Sequence, residues 1–271
     1  MNKDNAIAAG IVKEEDRDLM VDTVYLNLRR GVLDKSELMV IDLLSNFDWK
    51  RPIHFTQVYI LQNLGLTDYL QFDGYSYRLV PILTPYDRRV GEIGRIDPDV
   101  IYPLLMETFR YGNVSDPRVY VDNFIQYNLM ASGAREAFAR AAKAFLRRGG
   151  AGDRDKAVAL LDAGLEKMPP AQIRYTFSNT FPFLEAYYAA GEMEKGDALL
   201  LSYAENLMQY LDYYLAFEGV QGDMVSGLID DKLDELGQIY LLAGYAGRRD
   251  AVARLNDYYR TLLSLIHISE P

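Results

Sequence analysis

A chain of 271 residues that is 49% hydrophobic and 25% charged can bury one or two cores and is not disordered. Its net charge of -10 argues against the basic face that nucleic acid requires, and against electrostatic docking on anionic lipid. With no Cys there is no disulfide framework, thiolate nucleophile or cysteine zinc site, and two His speak against a histidine metal centre, so neither a metal nor a cofactor is expected. The 21 Tyr are scattered through periodic segments and are expected to sit half-buried, ring inside and hydroxyl outside. No stretch approaches the roughly 20 apolar residues that span a bilayer, so no direct membrane insertion by this chain is expected. The first residues, "MNKDNAIAAGIVKEEDRD", lack the pattern of a signal peptide.

The first 95 residues mix short elements. "VDTVYLNLR" (21–29) alternates, with Val24, Leu26 and Leu28 on one side, and predicts a strand. "DKSELMVIDLLSNF" offers Asp34 as N-cap and Leu38, Ile41, Leu44 and Phe47 as an apolar stripe, predicting a helix over 36–47. "LLSNFDWKRPIHFTQ" (43–57) then holds the single Trp and one His beside Asp48, Lys50 and Arg51. Pro52 forces Arg51 into an extended conformation. A short strand is expected from there, with Ile53 and Phe55 inward, His54 on the opposite face and Trp49 sealing the helix-strand corner. "GYSYRLVPI" (74–82) reads as another short strand with Pro near its end. "GEIGRI" (91–96) lacks a full phosphate-loop pattern and reads as a linker.

Beyond Gly94 the pattern turns helical. Asp97 and Pro98 make a helix start, an acceptor at N-cap and a preset φ at N1, and Ile101, Leu104, Leu105, Thr108 and Phe109 continue one face. The loop "YGNVSDPRVYVDN" follows. Three helical hairpins come next: residues 135–150 with 153–170, 179–191 with 192–217, and 230–247 with 248–263. Small residues and Tyr on the first helix, Gly at the turn and Ala or Gly on the second, best seen in "AYYAAGEMEKGDA", resemble the tetratricopeptide helix-turn-helix. Spacings of 39 residues from Ala157 to Gly196 and 55 from Gly196 to Ala251 make the repeat degenerate.

The expected fold class is α+β: a small mixed α/β unit over 1–95, a helix and connecting loop over 96–133, and TPR-like hairpins over 134–262. The end, "LSLIHISEP" (263–271), breaks the helical pattern without a cap and matches the translation of a common transposase sequencing adapter, so His267 carries no functional weight.

Three Asp-x-Asp patterns occur, at 16–18, 97–99 and 153–155. Such pairs can hold a divalent cation against a diphosphate. That use needs a nucleotide-binding domain upstream, and helix capping explains Asp97 and Asp153 more simply. Asp231, Asp234 and Glu235 share one helix face and read as solvated. With His54 the sole His outside the tail, no Ser/His/Asp arrangement can be argued and no catalytic residue is assigned. Aromatic rings beside Arg suit a sugar-binding groove, by stacking and bidentate hydrogen bonds. On that ground Trp49, Arg51, His54, Tyr75, Arg78, Tyr111 and Asn113 are the candidate binding residues, while a core or interface role for the Tyr-rich helices remains the simpler alternative.

Read in order, "KSELMVIDLLSNFDWKRPIHFT", "LGLTDYLQFDGYSYRLVPI", "GRIDPDVIYPLLMETFRYGNVSDPRVYVD" and "FLEAYYAAGEMEKGDALL" resemble the C-terminal extracytoplasmic part of a family of large bacterial membrane proteins. Those proteins were long described only by a domain of unknown function. They are similar to membrane-embedded protein O-mannosyltransferases that use a lipid-linked sugar donor. The resemblance spans most of residues 2–262, with "W-x-R-P-I-x-F" and "G-x-x-Y-R-L-V-P" its most specific marks. It implies a multi-span catalytic core upstream and a soluble TPR-like tail at the periplasmic face of the inner membrane. The implied partners are the membrane-spanning part of the same parent protein and an acceptor protein or glycan. Because the core is absent, no catalytic residue carries over, and the sequence reads as a piece of a longer gene. A free-standing TPR-like adaptor is the alternative.

Overall fold

The computed structural model describes residues 1–86, 92–126 and 133–268, with side chains as far as Leu262. The structure is α+β, a small three-stranded antiparallel sheet near the N-terminus followed by a helical array. Two compact units are formed, Met1–Phe109 and Arg110–Pro271.

In the first unit, α1 (Lys3–Ala8) starts on Asn2, whose side chain accepts from the Asn5 N–H. α2 (Lys35–Ser45) starts on a capping box, in which Asp34 and Glu37 each accept the other's backbone N–H at 2.8 Å. Asp34 is thus the predicted cap, but the stripe begins differently. Leu38 is 52% exposed, and Glu37 is the residue of the first turns that is buried.

The sheet has the order β1-β3-β2, with β1 at His54–Phe55, β2 at Leu70–Phe72 and β3 at Tyr77–Leu79; α3 (Tyr59–Gln62) lies between β1 and β2. β1 and β3 are the expected strands, while β2, inside "YLQFDG", was not expected and is buried at all three residues, Gln71 included. The core gathers Ile11, Met20, Leu61, Leu64, Leu70 and Leu79.

Two expectations fail in this unit. Residues 21–29 make no strand: the N–H groups of Asn27 and Arg29 donate instead to the carbonyls of Leu64 and Asn63, each at 2.9 Å. Alternation there has no sheet to face, and Leu26 and Leu28 stay exposed. Gly65 permits this approach, with φ at 67° and room for no Cβ, which would stand 2.9 Å from the Asn27 Cβ. The "GEIGRI" stretch is not a free linker over its described part, 92–96 (Gly91 lies outside the described residues). Arg95 bridges β2 through Arg95 N to Leu70 O at 2.9 Å and Phe72 N to Arg95 O at 2.8 Å.

α4 (Pro98–Pro103) starts as expected, Asp97 accepting from the N–H groups of Asp99 and Val100, and runs into a π-helical turn at Leu104–Thr108. Asp97 also receives Lys13 at 2.9 Å, which ties the helix start to the N-terminal segment.

The second unit holds α5 (Arg135–Arg148), α6 (Asp153–Lys167), α7 (Phe177–Ala189), α8 (Met193–Leu215), α9 (Gly219–Tyr245) and α10 (Arg249–Ile268). These are the three expected hairpins. α9 begins well before Asp230, and the α10 backbone stays helical through Leu263–Ile268, where a break was predicted; residues 269–271 lie outside the described residues, as do 127–132 of the predicted connecting loop.

α5 is alanine-rich and buried on most sides, which lets α6 and α7 close on it. At its start Arg135 is fully buried and donates to the carbonyls of Met168 and Ile173, each at 2.6 Å, and to Asn179 Oδ1 at 3.3 Å. Burial pushes its guanidinium down to about 10, which leaves it charged at neutral pH. Asp153 is not the cap of α6; Gly152 holds that position. Instead Asp153 accepts both Arg148 Nη2 at 2.7 Å and Nε at 2.8 Å, and the Gly150 N–H at 2.8 Å, so that it fastens the α5–α6 turn.

The described tyrosines are buried, half-buried or exposed. Tyr187, Tyr188 and Tyr203 are buried, and their hydroxyls donate to Asp162, Asp197 and Glu235 respectively. Tyr77, Tyr102, Tyr111, Tyr175, Tyr210, Tyr214, Tyr240, Tyr258 and Tyr259 are half-buried as expected, whereas Tyr25, Tyr59, Tyr120, Tyr213 and Tyr245 are exposed. Glu235 is correspondingly not on a solvated face, while Asp231 and Asp234 are. Gly196 lies against Tyr188, and a Cβ there would stand 2.4 Å from the ring.

Three outcomes follow for stability. Gly196→Ala overpacks the α7–α8 contact and is expected to cost about 1–3 kcal/mol in denaturant unfolding. Arg135→Met removes the donor from two buried carbonyls and is expected to cost about 2–5 kcal/mol by the same measurement. The Arg148 guanidinium and the Gly150 N–H hold the Asp153 carboxyl at about 2, below its ordinary 3.8. A depressed carboxylate adds stability that is fully present above pH 4 and lost as pH falls toward 2. Asp153→Asn is therefore expected to flatten the acid limb of a stability-pH profile in that window.

Candidate functional site

The β1–β3 register sets His54 opposite Arg78 and Phe55 opposite Tyr77. Because residues alternate across a strand, His54 and Arg78 share one face while Ile53 and Phe55 turn to the core. The 73–76 turn between β2 and β3 completes the group. Arg78 Nε lies 3.0 Å from Asp73 Oδ2, Gln71 Nε2 donates to Asp73 Oδ1 at 3.0 Å, and Arg78 Nη1 donates to the Gly10 carbonyl at 2.8 Å. Arg78 and Asp73 side chains are only 11% and 8% exposed, so this is an interior ion pair whose two charges cancel locally.

His54 Nδ1 lies 3.0 Å from Ser76 Oγ. Burial holds the imidazole below its ordinary pKa; the Asp73 charge opposes this and the Arg78 charge adds to it. The imidazole is therefore neutral at pH 7 and offers one donor and one acceptor. Tyr75, 42% exposed at the turn, packs tilted against Phe109, ring centroids 4.7 Å apart. The face presents two neutral hydrogen-bonding groups, the imidazole and the Ser76 hydroxyl.

Trp49 lies elsewhere in the same unit. It is 7% exposed and is the one described non-glycine residue with a positive φ, 63°, which turns the chain sharply between α2 and β1. Its ring packs at 4.6 Å on Phe47, and both border a groove of ≈ 350 Å³ with Val24, Leu26, Ile41 and Leu44. Arg51 is exposed beyond this corner. Tyr111 and Asn113 belong to the second unit, where the Tyr111 ring lies 5.6 Å from Phe138 with Lys167 Nζ 5.3 Å above it, and the Asn113 carbonyl accepts the Asp116 N–H in a turn. The structure thus sets His54 opposite Arg78 on the β1–β3 pair, with Tyr75 in the turn before β3, and leaves Trp49 and Arg51 at another corner.

Asp73, Ser76 and Gln71 were not foreseen. The signal for them is the short span between two apolar runs, since "QFDGYSYR" must turn at Asp73–Gly74 and so folds Ser76 and Arg78 back beside it.

Among the described residues, no cluster of three or more His, Asp or Glu is placed to hold a metal, and no helix is long and apolar enough to cross a membrane.

Residues 1–100 match the family model described as TMEM260-associated domain 2, a domain associated with a membrane protein. No curated protein and no solved structure matches the chain.

Proposed function

We propose that this chain is a non-catalytic domain of a membrane glycosyltransferase resembling protein O-mannosyltransferases, held at the periplasmic face against the membrane-spanning part of the same parent protein. It stabilises that core or positions an acceptor protein or glycan. The observation that carries the reading is the match of residues 1–100 to a membrane-protein-associated domain, on the same unit that bears a set of uncovered apolar side chains. On α2, Leu38, Met39 and Leu43 are 52%, 67% and 50% exposed, and Leu26, Leu28 and Val32 of the preceding segment are exposed as well. Single exposed apolar residues need no explanation, but six from one stretch suit a surface that is covered in the parent protein.

The hairpins α5 to α10 support the second reading, a free-standing adaptor that binds protein. One groove of ≈ 380 Å³ in that unit, bordered by Arg174, Tyr175, Asn206, Gln209 and Tyr210, has the polar lining such a partner would use.

In the complete gene, hydrophobic spans are expected upstream of Asn2. When the intact protein is cleaved between spans and domain and purified in detergent, the domain is expected to stay with the membrane part. Leu38→Glu with Leu43→Glu is expected to leave unfolding within about 1 kcal/mol of the parent, because both sites are exposed, and to release the domain. A gene without upstream spans, or full retention by the double variant, overturns the docking reading.

A further inference from the structure

The segment Asn27–Arg30, held against Asn63 and Leu64 by its backbone, places two consecutive arginines over a pocket of ≈ 410 Å³ bordered by Arg29, Arg30, Tyr59, Gln62 and Asn63. No carboxylate borders it. Arg30 Nη2 reaches away to Glu37 Oε1 at 2.6 Å, and Glu37 is 1% exposed behind it. Arg29 has no ion-pair partner among the described residues. Asn63 is 4% exposed, and its Oδ1 accepts the Arg30 N–H at 2.6 Å, which fixes the amide. Arg29, Arg30, Tyr59 and Gln62 therefore bring donors to the border of the pocket, with no acid among them.

From this we propose that the pocket binds a phosphate group. A carboxylate has two oxygens, which one guanidinium fork consumes, whereas a phosphate offers further oxygens to a second guanidinium and to amide donors. Glu37 neutralises one of the two cations, so the pocket carries the excess charge of Arg29 and suits a phosphate monoester. The chain as a whole is acidic and repels anions at a distance, so selection here works by contact. The phosphate can be free or the headgroup of a lipid. The inference stands apart from the docking reading above.

The test uses the whole chain. Inorganic phosphate is titrated calorimetrically, and vesicles of phosphatidylcholine with or without phosphatidic acid are sedimented with the protein. Arg29→Gln changes an exposed side chain, and circular dichroism checks its fold. Lys50→Gln, at another exposed cation, removes the same charge. The expected result is saturable binding that falls at least tenfold in Arg29→Gln and is unchanged in Lys50→Gln. Binding of phosphate assigns a free ligand, and binding only of phosphatidic acid vesicles assigns a headgroup. No binding of either probe, or equal loss in the two variants, overturns the proposal.

Discussion

The helical unit depends on a charge placed where there is no water to solvate it. Arg135, fully buried, spends its guanidinium on main-chain carbonyls at the end of α6 and in the loop that leads to α7, and on the Asn179 amide at the start of α7. Carbonyls at a helix C-terminus are orphaned and carry the negative end of its dipole, so a cation there is stabilised by partners that would otherwise be unsatisfied. One side chain of α5 thereby fixes where α6 stops and where α7 begins. Asn179 serves two ends of this arrangement, since it also closes the α7 capping box with Thr176.

Beyond that junction the hairpins are joined by a repeated device. Each buried tyrosine gives its hydroxyl to a carboxylate, and a cation holds that carboxylate: Tyr187 with Asp162 and Lys195, Tyr188 with Asp197 and Arg248, Tyr203 with Glu235 and Lys232. Burial, reinforced by the neighbouring carboxylate, raises each phenol above its ordinary pKa, so it remains a donor at any physiological pH. The abundance of tyrosine in an acidic chain is in part explained here, because the ring fills the interhelical space and the hydroxyl satisfies an acid that would be costly to bury alone. Gly196 fits the same logic, being the position where the Tyr188 ring must pass.

What the sequence disclosed follows from the range of the interaction involved. The caps at Asp34 and Asp97 and the six long helices are written in residues within a few positions of each other, and they were legible. Most of the failures concern partners distant in sequence. Residues 21–29 alternate like a strand, yet they are bound through Leu64 and Asn63, which the local pattern does not mention. Arg95 looked like part of a loop until β2 supplied its ladder, and Glu235 looked solvated until Tyr203 met it from the preceding helix. Asp153 was read as a cap because it starts a helix; the glycine before it takes that position and Arg148 takes the carboxylate.

The same division governs the candidate site. Residue type alone nominated His54 and Arg78, and the β1–β3 register sets them opposite each other. Neither told how much charge Arg78 has left, because that depends on Asp73, five residues away across a turn. An arginine whose fork is closed by a buried carboxylate is a structural cation: it orders the turn that carries Ser76 and Tyr75. Arg29 is the converse case, an arginine that ordinary surface statistics would dismiss but that borders a pocket with no acid in its lining. Which of two arginines can hold an anion is thus decided by where the nearest carboxylate is already engaged, a quantity that composition and periodicity do not contain.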